Sequence, residues 1–217
     1  MYQKETDMTL STVDIKKAVI RSQHCQRNFD LSKKIPESDL DILVHAATNC
    51  PSKQNIAFYK LHVITDRDTI EAVHELATGT HTYDEDGNMI ESTNSQTLAN
   101  AIFVFEQLEV DTLSEKSRKL WEHKDEADMI VFERDRATAI GIASGYVNLT
   151  AAMLGYSTGC CQCFKTMEIK ELLGLENKPA MIQGIGFKDP TRNRRLHEKT
   201  GLIFPTRKKE DILVTRN

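Results

Sequence analysis

The stretch that most constrains the fold is RATAIGIASGYVNLTAAMLGY, which spans residues 136–156. Its apolar side chains fall on nearly every face of a helix, so the pattern predicts a helix that is buried on most of its surface. Gly141 and Gly145 lie four residues apart and therefore on one face, where another helix can approach closely. That neighbour is either a helix of the same chain or a helix across a dimer axis.

The other hydrophobic patterns alternate between helical and extended periods. The predicted helices lie at residues 11–23, 35–50, 68–78 and 169–175. The predicted strands lie at residues 57–66, 100–108 and 180–187, and residues 80–93 form a loop or small hairpin. In the first helix, Ile15, Ala18 and Val19 share one face. Helices that alternate with few strands favour an α+β fold with a small sheet, in one domain over residues 1–217.

Two segments depart from this regular pattern. Residues 111–135 are highly charged and predict a helical excursion anchored by Trp121. This excursion is either a lid over a site or a solvated helix. The tail at residues 201–217 is half apolar and half basic.

Charge and cysteine content exclude several classes of protein. Lysine and arginine number 28 against 32 aspartates and glutamates, so no overall basic field favours nucleic acid. No apolar run approaches the roughly 18 residues of a membrane span, and the polar N-terminus does not resemble a signal peptide. Five cysteines at uneven spacing do not suit a disulfide framework. We therefore expect a cytoplasmic protein that binds neither nucleic acid nor membranes.

The sequence GCCQCF, residues 159–164, places Cys160, Cys161 and Cys163 close together. Structural zinc normally needs a second cysteine pair, which the chain lacks nearby. A catalytic thiolate needs a base, and the seven histidines are scattered without a motif. The stretch is interpreted as a loop whose backbone matters more than its thiols. A metal-binding module and a reactive thiol remain alternatives.

Basic residues cluster near each end of the chain. The first cluster contains Arg21, His24 and Arg27, and the second contains Arg207, Lys208 and Lys209. Each cluster alone is typical of a solvated surface. Together they would suit a phosphate group, which arginine binds with a planar fork of donors.

The segment RSQHCQRNFDLSKKIPESDLDILVHAATNCPSKQN resembles the opening of the FMN-dependent nitroreductase family. The matching positions, in order, are Arg27, Phe29, Ile35-Pro36, Ala46-Ala47, Pro51-Ser52 and Asn55. Three later parts are also similar to the family: NSQTLANAIFVF, GIASGYVNLTAAMLGYSTGCCQCF, and GIGFKDP with FPTRKKEDIL. The resemblance covers nearly the whole chain. It implies a nitroreductase-like α+β fold, with a small central sheet surrounded by helices, and an intertwined homodimer with FMN at its interface.

The resemblance also implies which residues bind the cofactor. The FMN phosphate and ribityl chain would meet residues 23–27, which include Gln23, His24, Cys25 and Arg27. Arg207, with help from Lys208 or Lys209, would meet the phosphate from the tail. The flavin ring would meet Pro51, Ser52 and Asn55 of one subunit. Asn94 or Gln96 would bond its pyrimidine edge. The backbone of Cys160, Cys161, Gln162 and Cys163 would lie along the ring, with an N–H directed toward N5.

The chain departs from the family pattern at four positions. Gln23 stands where the family has its first arginine, and Cys25 stands where it has serine. Ala57 and Phe58 replace a glutamine-proline pair. Arg21 would supply the missing charge only if the end of the first helix were rearranged.

The resemblance implies a flavin oxidoreductase with a ping-pong mechanism. NAD(P)H would reduce FMN, and a small electron-poor acceptor such as a nitroaromatic or a quinone would then take the electrons. The flavin carries the chemistry, so neither a catalytic side chain nor a metal is expected. The departures at Gln23 and Cys25 motivate an alternative, a non-redox flavin-binding or flavin-handling protein of the same fold.

Overall fold

A four-stranded antiparallel sheet lies at the centre of the computed structural model, which describes residues 11–83, 86–121, 125–197, 201, 203 and 209–216. Numbered along the chain, its strands are β1 (Tyr59–Ile64), β4 (Ala101–Gln107), β5 (Ser157–Cys161) and β6 (Pro179–Gly186). They lie side by side in the order β1-β4-β6-β5. Strands β2 (Thr78–Tyr83) and β3 (Met89–Thr93) form a separate antiparallel hairpin.

Helices cover both faces of the sheet. They are α1 (Thr12–Ser22), α2 (Glu37–Thr48), α3 (Arg67–Glu75), α4 (Glu115–Arg118), α5 (Glu126–Leu154) and α6 (Thr166–Leu173). Short 3-10 turns occur at Lys53–Asn55 and Val110–Thr112. The predicted α+β class, with a small sheet surrounded by helices, is confirmed.

Strand β4 is buried on both faces because its side chains alternate between two cores. Phe103 and Phe105 belong to the core that α2 and α5 contribute to. Ile102 and Val104 belong to the core that α3 and α6 contribute to. A strand covered on both sides is apolar at nearly every position, as the sequence AIFVFEQ is.

Helix α5 begins ten residues earlier than predicted. The side chain of Asp125 caps it by accepting a hydrogen bond from the Asp128 N–H, and Gly155, at φ +94°, ends it. The first turns, EADMIVFERD, carry many charges, so an apolar pattern could not reveal them. Part of the predicted excursion is therefore the beginning of α5. Inside it, Trp121 is buried against Phe132, with ring centroids 5.0 Å apart.

The prediction that α5 is buried on most of its surface was wrong for the single chain. Tyr146 and Met153 are each 48% exposed on it. A Cβ atom at Gly141 or Gly145 would meet nothing within 4 Å in the described chain, so these glycines do not pack against a helix of that part of the same chain. Length and composition alone would let α5 cross a membrane. The core helix of a soluble protein can have the same length and composition, and α5 packs against α1, α2 and β5.

The face that Ile15, Ala18 and Val19 share on α1 is not buried as a whole. Only Ala18 is buried, whereas Ile15 and Val19 are about half exposed. The stretch at Gly159–Cys161 was interpreted as a loop, but it belongs to strand β5, which pairs with β6. Small residues give β5 little strand signal of its own, so its pairing with β6 defines it.

Candidate functional site

Residues 25–30, which we call the Cys25 segment, follow α1 and begin along the outer edge of β5. Cys25 pairs in parallel with Thr158, and the Gln26 N–H donates to the Thr158 carbonyl over 2.8 Å. Gln26 is almost fully buried. This segment therefore lies next to the strand that ends in the cysteine cluster.

Arg21, Gln23 and His24 lie just before this segment. Arg21 Nη1 donates to the Ala152 carbonyl over 3.2 Å, at the C-terminal end of α5. Gln23 is the C-cap residue of α1, and both Gln23 and His24 are exposed. The structure thus places Arg21 on a helix terminus, where a cation interacts favourably with the helix dipole.

Gly159 allows three segments to meet. A Cβ atom on Gly159 would lie 2.6 Å from the Gln26 carbonyl oxygen and 2.9 Å from Gln96 Cβ. Both distances are far shorter than an ordinary non-bonded contact, which is roughly 3.5–4.0 Å between two carbon atoms. Because residue 159 has no side chain, β5 contacts both the Cys25 segment and Gln96.

Asn94 and Gln96 are the polar side chains on this side of β5. Asn94 Nδ2 donates to Cys161 Sγ over 3.2 Å, and the Gln96 N–H donates to Asn94 Oδ1 over 3.2 Å. Gln96 is buried, and among the described residues its Oε1 has no hydrogen-bond partner. Buried acceptors are nearly always paired in folded proteins. Gln96 Oε1 is therefore an atom to which a ligand could donate.

The thiols of β5 are packing groups in this structure. Cys160 Sγ lies 3.4 Å from Ser144 Oγ on α5. Burial raises the pKa of Cys160, and burial also raises the pKa of Cys161 to about 11. Both thiols are therefore protonated near neutral pH, and a protonated thiol is a poor nucleophile. Within the described ranges, no three His, Cys, Asp or Glu side chains are placed to hold a metal ion.

Gln162 and Cys163 follow β5 and are exposed. The Cys163 carbonyl accepts a hydrogen bond from Cys161 Sγ over 3.3 Å. Gln162 lines a cleft of about 170 Å³ that also borders Gly141 of α5. The end of β5 is therefore open to solvent on the side that faces the exposed surface of α5.

Two guanidinium groups lie beside the Cys25 segment. Arg194 Nη1 donates to the Cys25 carbonyl over 3.1 Å. Burial lowers the pKa of Arg27; Cys25 opposes this shift, and the nearby charge of Arg194 adds to it. Positive charge is thus concentrated at this corner of the site. The sequence analysis did not identify Arg194 as a candidate site residue.

The turn after α2 forms a second group of predicted site residues. Pro51 and Asn55 are exposed, and Ser52 Oγ donates to the Ile56 carbonyl over 2.8 Å. Gln54 and Asn55 both have positive φ, 54° and 55°. Such residues cost on the order of 1–3 kcal/mol each and often occur at binding sites. The turn borders a cleft of about 420 Å³.

The two groups lie at opposite edges of the sheet. The turn with Asn55 leads into β1, whereas the Cys25 segment borders β5. Strands β4 and β6 separate these edges by roughly 14 Å, at about 4.8 Å per strand. One chain brings together residues 25–27, 94–96 and 159–161, but it does not add residues 51–55 to them.

The tail residues divide between described and undescribed parts of the chain. Arg207 and Lys208 lie outside the described residues. Lys209 is described and exposed. Ile212, Leu213 and Val214 are also strongly exposed.

Comparison with protein families decides what this fold belongs to. The model of the nitroreductase family matches residues 20–187, well over half of the chain. The chain belongs to the nitroreductase family. The predicted class, a nitroreductase-like flavin oxidoreductase, is thereby confirmed. The match ends before Arg194 and the tail, so these parts of the nitroreductase chain lie beyond the shared region.

Solved nitroreductase structures share the fold at low sequence identity. B. megaterium NfrA2 has a TM-score of 0.64 and 16% identity, over 84% of this chain and 69% of that chain. A nitroreductase family protein from Streptococcus pneumoniae TIGR4 has a TM-score of 0.62 and 15% identity, over 91% and 100%. An FMN-dependent nitroreductase from Clostridium difficile R20291 has a TM-score of 0.54 and 15% identity, over 82% and 90%. A search of curated proteins gave no match.

Proposed function

We propose that this nitroreductase-family chain is an FMN-dependent NAD(P)H oxidoreductase that passes electrons by a ping-pong mechanism to an electron-poor acceptor such as a nitroaromatic or a quinone. The observation that carries the proposal is the meeting of three segments at Gly159. The Cys25 segment and Gln96 both contact the middle of β5 there. The FMN-dependent relative from Clostridium difficile supports the choice of flavin.

The groups at this site match the chemistry of FMN. Arg27 and Arg194, the two guanidinium groups beside the Cys25 segment, suit a phosphate dianion. The tail residues Arg207, Lys208 and Lys209 would add charge to the same phosphate. Gln96 Oε1 needs a donor, and the pyrimidine edge of a flavin carries an N–H group. The donor set therefore fits both ends of the cofactor.

The protein's contribution is to hold and shield the reacting groups. When bound, FMN supplies a two-electron carrier that accepts hydride at N5 and passes electrons to the acceptor. The backbone at Cys161, Gln162 and Cys163 would run alongside the ring. Protonated thiols at Cys160 and Cys161 would not compete as nucleophiles. Asn94 and Gln96 would orient the ring from the pyrimidine side.

We also propose a homodimer in which each site uses both chains. The second group of residues, Pro51, Ser52 and Asn55, would reach the flavin from the partner. An exposed apolar surface supports this arrangement, and we call it the α1/α5 face; it consists of Ile15, Val19, Gly141, Gly145, Tyr146, Leu149 and Met153. Large exposed apolar patches commonly mark protein interfaces. The tail would pack its apolar residues on the partner subunit.

The five cysteines are free thiols in the structure. Free thiols are typical of a reducing compartment, and we place the protein in the cytoplasm. Residues 111–135 are proposed to shape the choice of acceptor, with Trp121 fixing the excursion to α5.

The test is a visible absorbance spectrum of the purified protein, recorded without oxygen before and after addition of NADPH or NADH. We expect a flavin spectrum that bleaches on addition of the reductant. A flavin spectrum that stays unchanged with both nucleotides would favour the non-redox alternative. A colourless protein that also fails to take up added FMN would contradict the proposed function altogether.

A further inference from the structure

The loop after β6 is fastened to the Cys25 segment through Asn28. Asn28 is almost fully buried, and its Nδ2 donates to the carbonyls of Asn193 and Leu196. Its own carbonyl accepts a hydrogen bond from the Asp189 N–H over 3.1 Å. This buried amide therefore fixes the loop at residues 188–197, which we call the arginine loop, against the residues predicted to hold a phosphate.

Arg194 is the side chain of the arginine loop that reaches the Cys25 segment. Its Nη1 donates to the Cys25 carbonyl over 3.1 Å. Its charge also lies close enough to Arg27 to help lower the pKa of that residue. Two like charges repel, so they are held together at a cost that a bound anion between them would offset.

No carboxylate in the described part of the chain pairs with Arg194. Asp30 and Asp189, the aspartates of these two segments, have partners of their own. Asp189 accepts hydrogen bonds from Thr191, and Asp30 accepts them from Ser32 and pairs with Lys33. A guanidinium has five N–H donors, and in this part of the chain only one bond of Arg194 is made, to Cys25. The remaining donors can serve a ligand.

We infer that Arg194 is the residue that replaces the arginine missing at Gln23, and that it binds the terminal phosphate of the flavin together with Arg27. This inference rests on the proposed function. It adds a binding residue from outside the region that the family model matches, and it gives the site a preference for FMN over riboflavin, the same flavin without its phosphate.

The experiment measures the affinity of the full-length protein for FMN and for riboflavin. The variants are Arg194→Gln and, as a matched control, Arg192→Gln, which removes the same charge from the same loop beside Asp189. We expect Arg194→Gln to weaken FMN binding by about 10- to 100-fold, the usual effect of losing one charge-assisted contact. Riboflavin binding should stay unchanged, and Arg192→Gln should leave both affinities unchanged.

Three outcomes would overturn the inference in distinguishable ways. If Arg194→Gln keeps the FMN affinity of the wild type, Arg194 does not touch the phosphate. If Arg194→Gln loses affinity for FMN and riboflavin equally, Arg194 only supports the local structure. If the wild type binds neither flavin, the proposed function itself fails. Should Arg194→Gln not fold, Arg194→Lys replaces it, and a selective loss of FMN affinity, smaller than tenfold, is then expected.

Discussion

Glu106 shows how a single buried charge is stabilised far from the proposed flavin site. It is fully buried in β4, and its Oε2 lies 2.6 Å from His62 Nε2. Its Oε1 accepts a hydrogen bond from the Asn177 N–H over 2.6 Å. Burial alone acts to raise the pKa of this carboxyl, but the Asn177 N–H and His62 outweigh it, so the pKa lies below its ordinary value of 4.5.

A depressed pKa makes stability depend on pH in a defined direction. The folded state binds the Glu106 proton more weakly than the unfolded state does, so the contribution of Glu106 is complete above pH 4.5. It is lost as the pH falls through the lower pKa of the folded state. Glu106→Gln should therefore lower the free energy of unfolding at pH 7 by about 1–3 kcal/mol, and this difference should shrink below pH 4.5.

Urea unfolding of both proteins between pH 7 and pH 3 measures this effect. Glu115→Gln is the control, because Glu115 pairs with Lys119 on the exposed surface of α4. An exposed ion pair contributes at most about 1 kcal/mol, so this variant should resemble the wild type. A difference between Glu106→Gln and the wild type that is constant over the whole range would contradict the interpretation.

The site could be predicted from the sequence only where residue type and order are informative. Asn94 and Gln96 precede a buried strand, and the structure does place them against β5. Arg194 could not be found in this way, because its position depends on hydrogen bonds that Asn28 donates to the carbonyls of Asn193 and Leu196, 165 and 168 residues away along the chain. The positive φ of Gln54 could not be predicted either, because glutamine is not a residue type that usually adopts positive φ.

Among the elements, α5 has exposed apolar side chains that the proposed dimer would cover. Its apolar pattern predicted a buried helix, yet the described chain covers only part of it. The prediction was wrong for the single chain, and only the proposed dimer would cover the rest of the helix surface. Strand β5 is the opposite case, because its sequence has little strand character but its pairing with β6 is regular.

The variant Gly145→Glu tests the proposed dimer without disturbing the fold of the single chain. A side chain at residue 145 meets nothing within 4 Å in the described chain, so it fits the single chain without strain. Replacing glycine in a helix interior also stabilises that helix, by up to about 1 kcal/mol. A charged side chain on the α1/α5 face should nevertheless break the dimer, because it would bury an unpaired carboxylate.

Light scattering during size-exclusion chromatography checks this prediction. The wild type should have twice the chain mass of 24.6 kDa, and Gly145→Glu should have that mass alone. Glu71→Gln, a change on the exposed surface of α3, should remain dimeric. The α1/α5 face would be excluded as the interface if Gly145→Glu were still a dimer.

For the whole molecule, the order of strands determines which of the predicted flavin-binding residues one chain can bring together. The turn with Asn55 and the segment with Arg27 lie at the two outer edges of one sheet, and folding fixes them there. The sequence resemblance implied that Pro51, Ser52 and Asn55 come from one subunit of a dimer, but the residues themselves carry no information about which copy supplies them. A twofold axis that brings one edge of each chain to the opposite edge of the other would create two equal sites.

Shared sites can be tested by complementation between two damaged chains. Arg27→Gln damages the group beside β5, and Asn55→Asp damages the group beside β1 while keeping a residue that tolerates positive φ. Each variant alone should have little NADPH-dependent activity. A mixed dimer, isolated with two different affinity tags, should contain one intact site and one site that is damaged twice. Its activity should therefore return to about half that of the wild type. If the mixed dimers form but stay as inactive as the two parent variants, each site must be built within one chain. Asn55 and Arg27 of the same chain would then contact the same flavin.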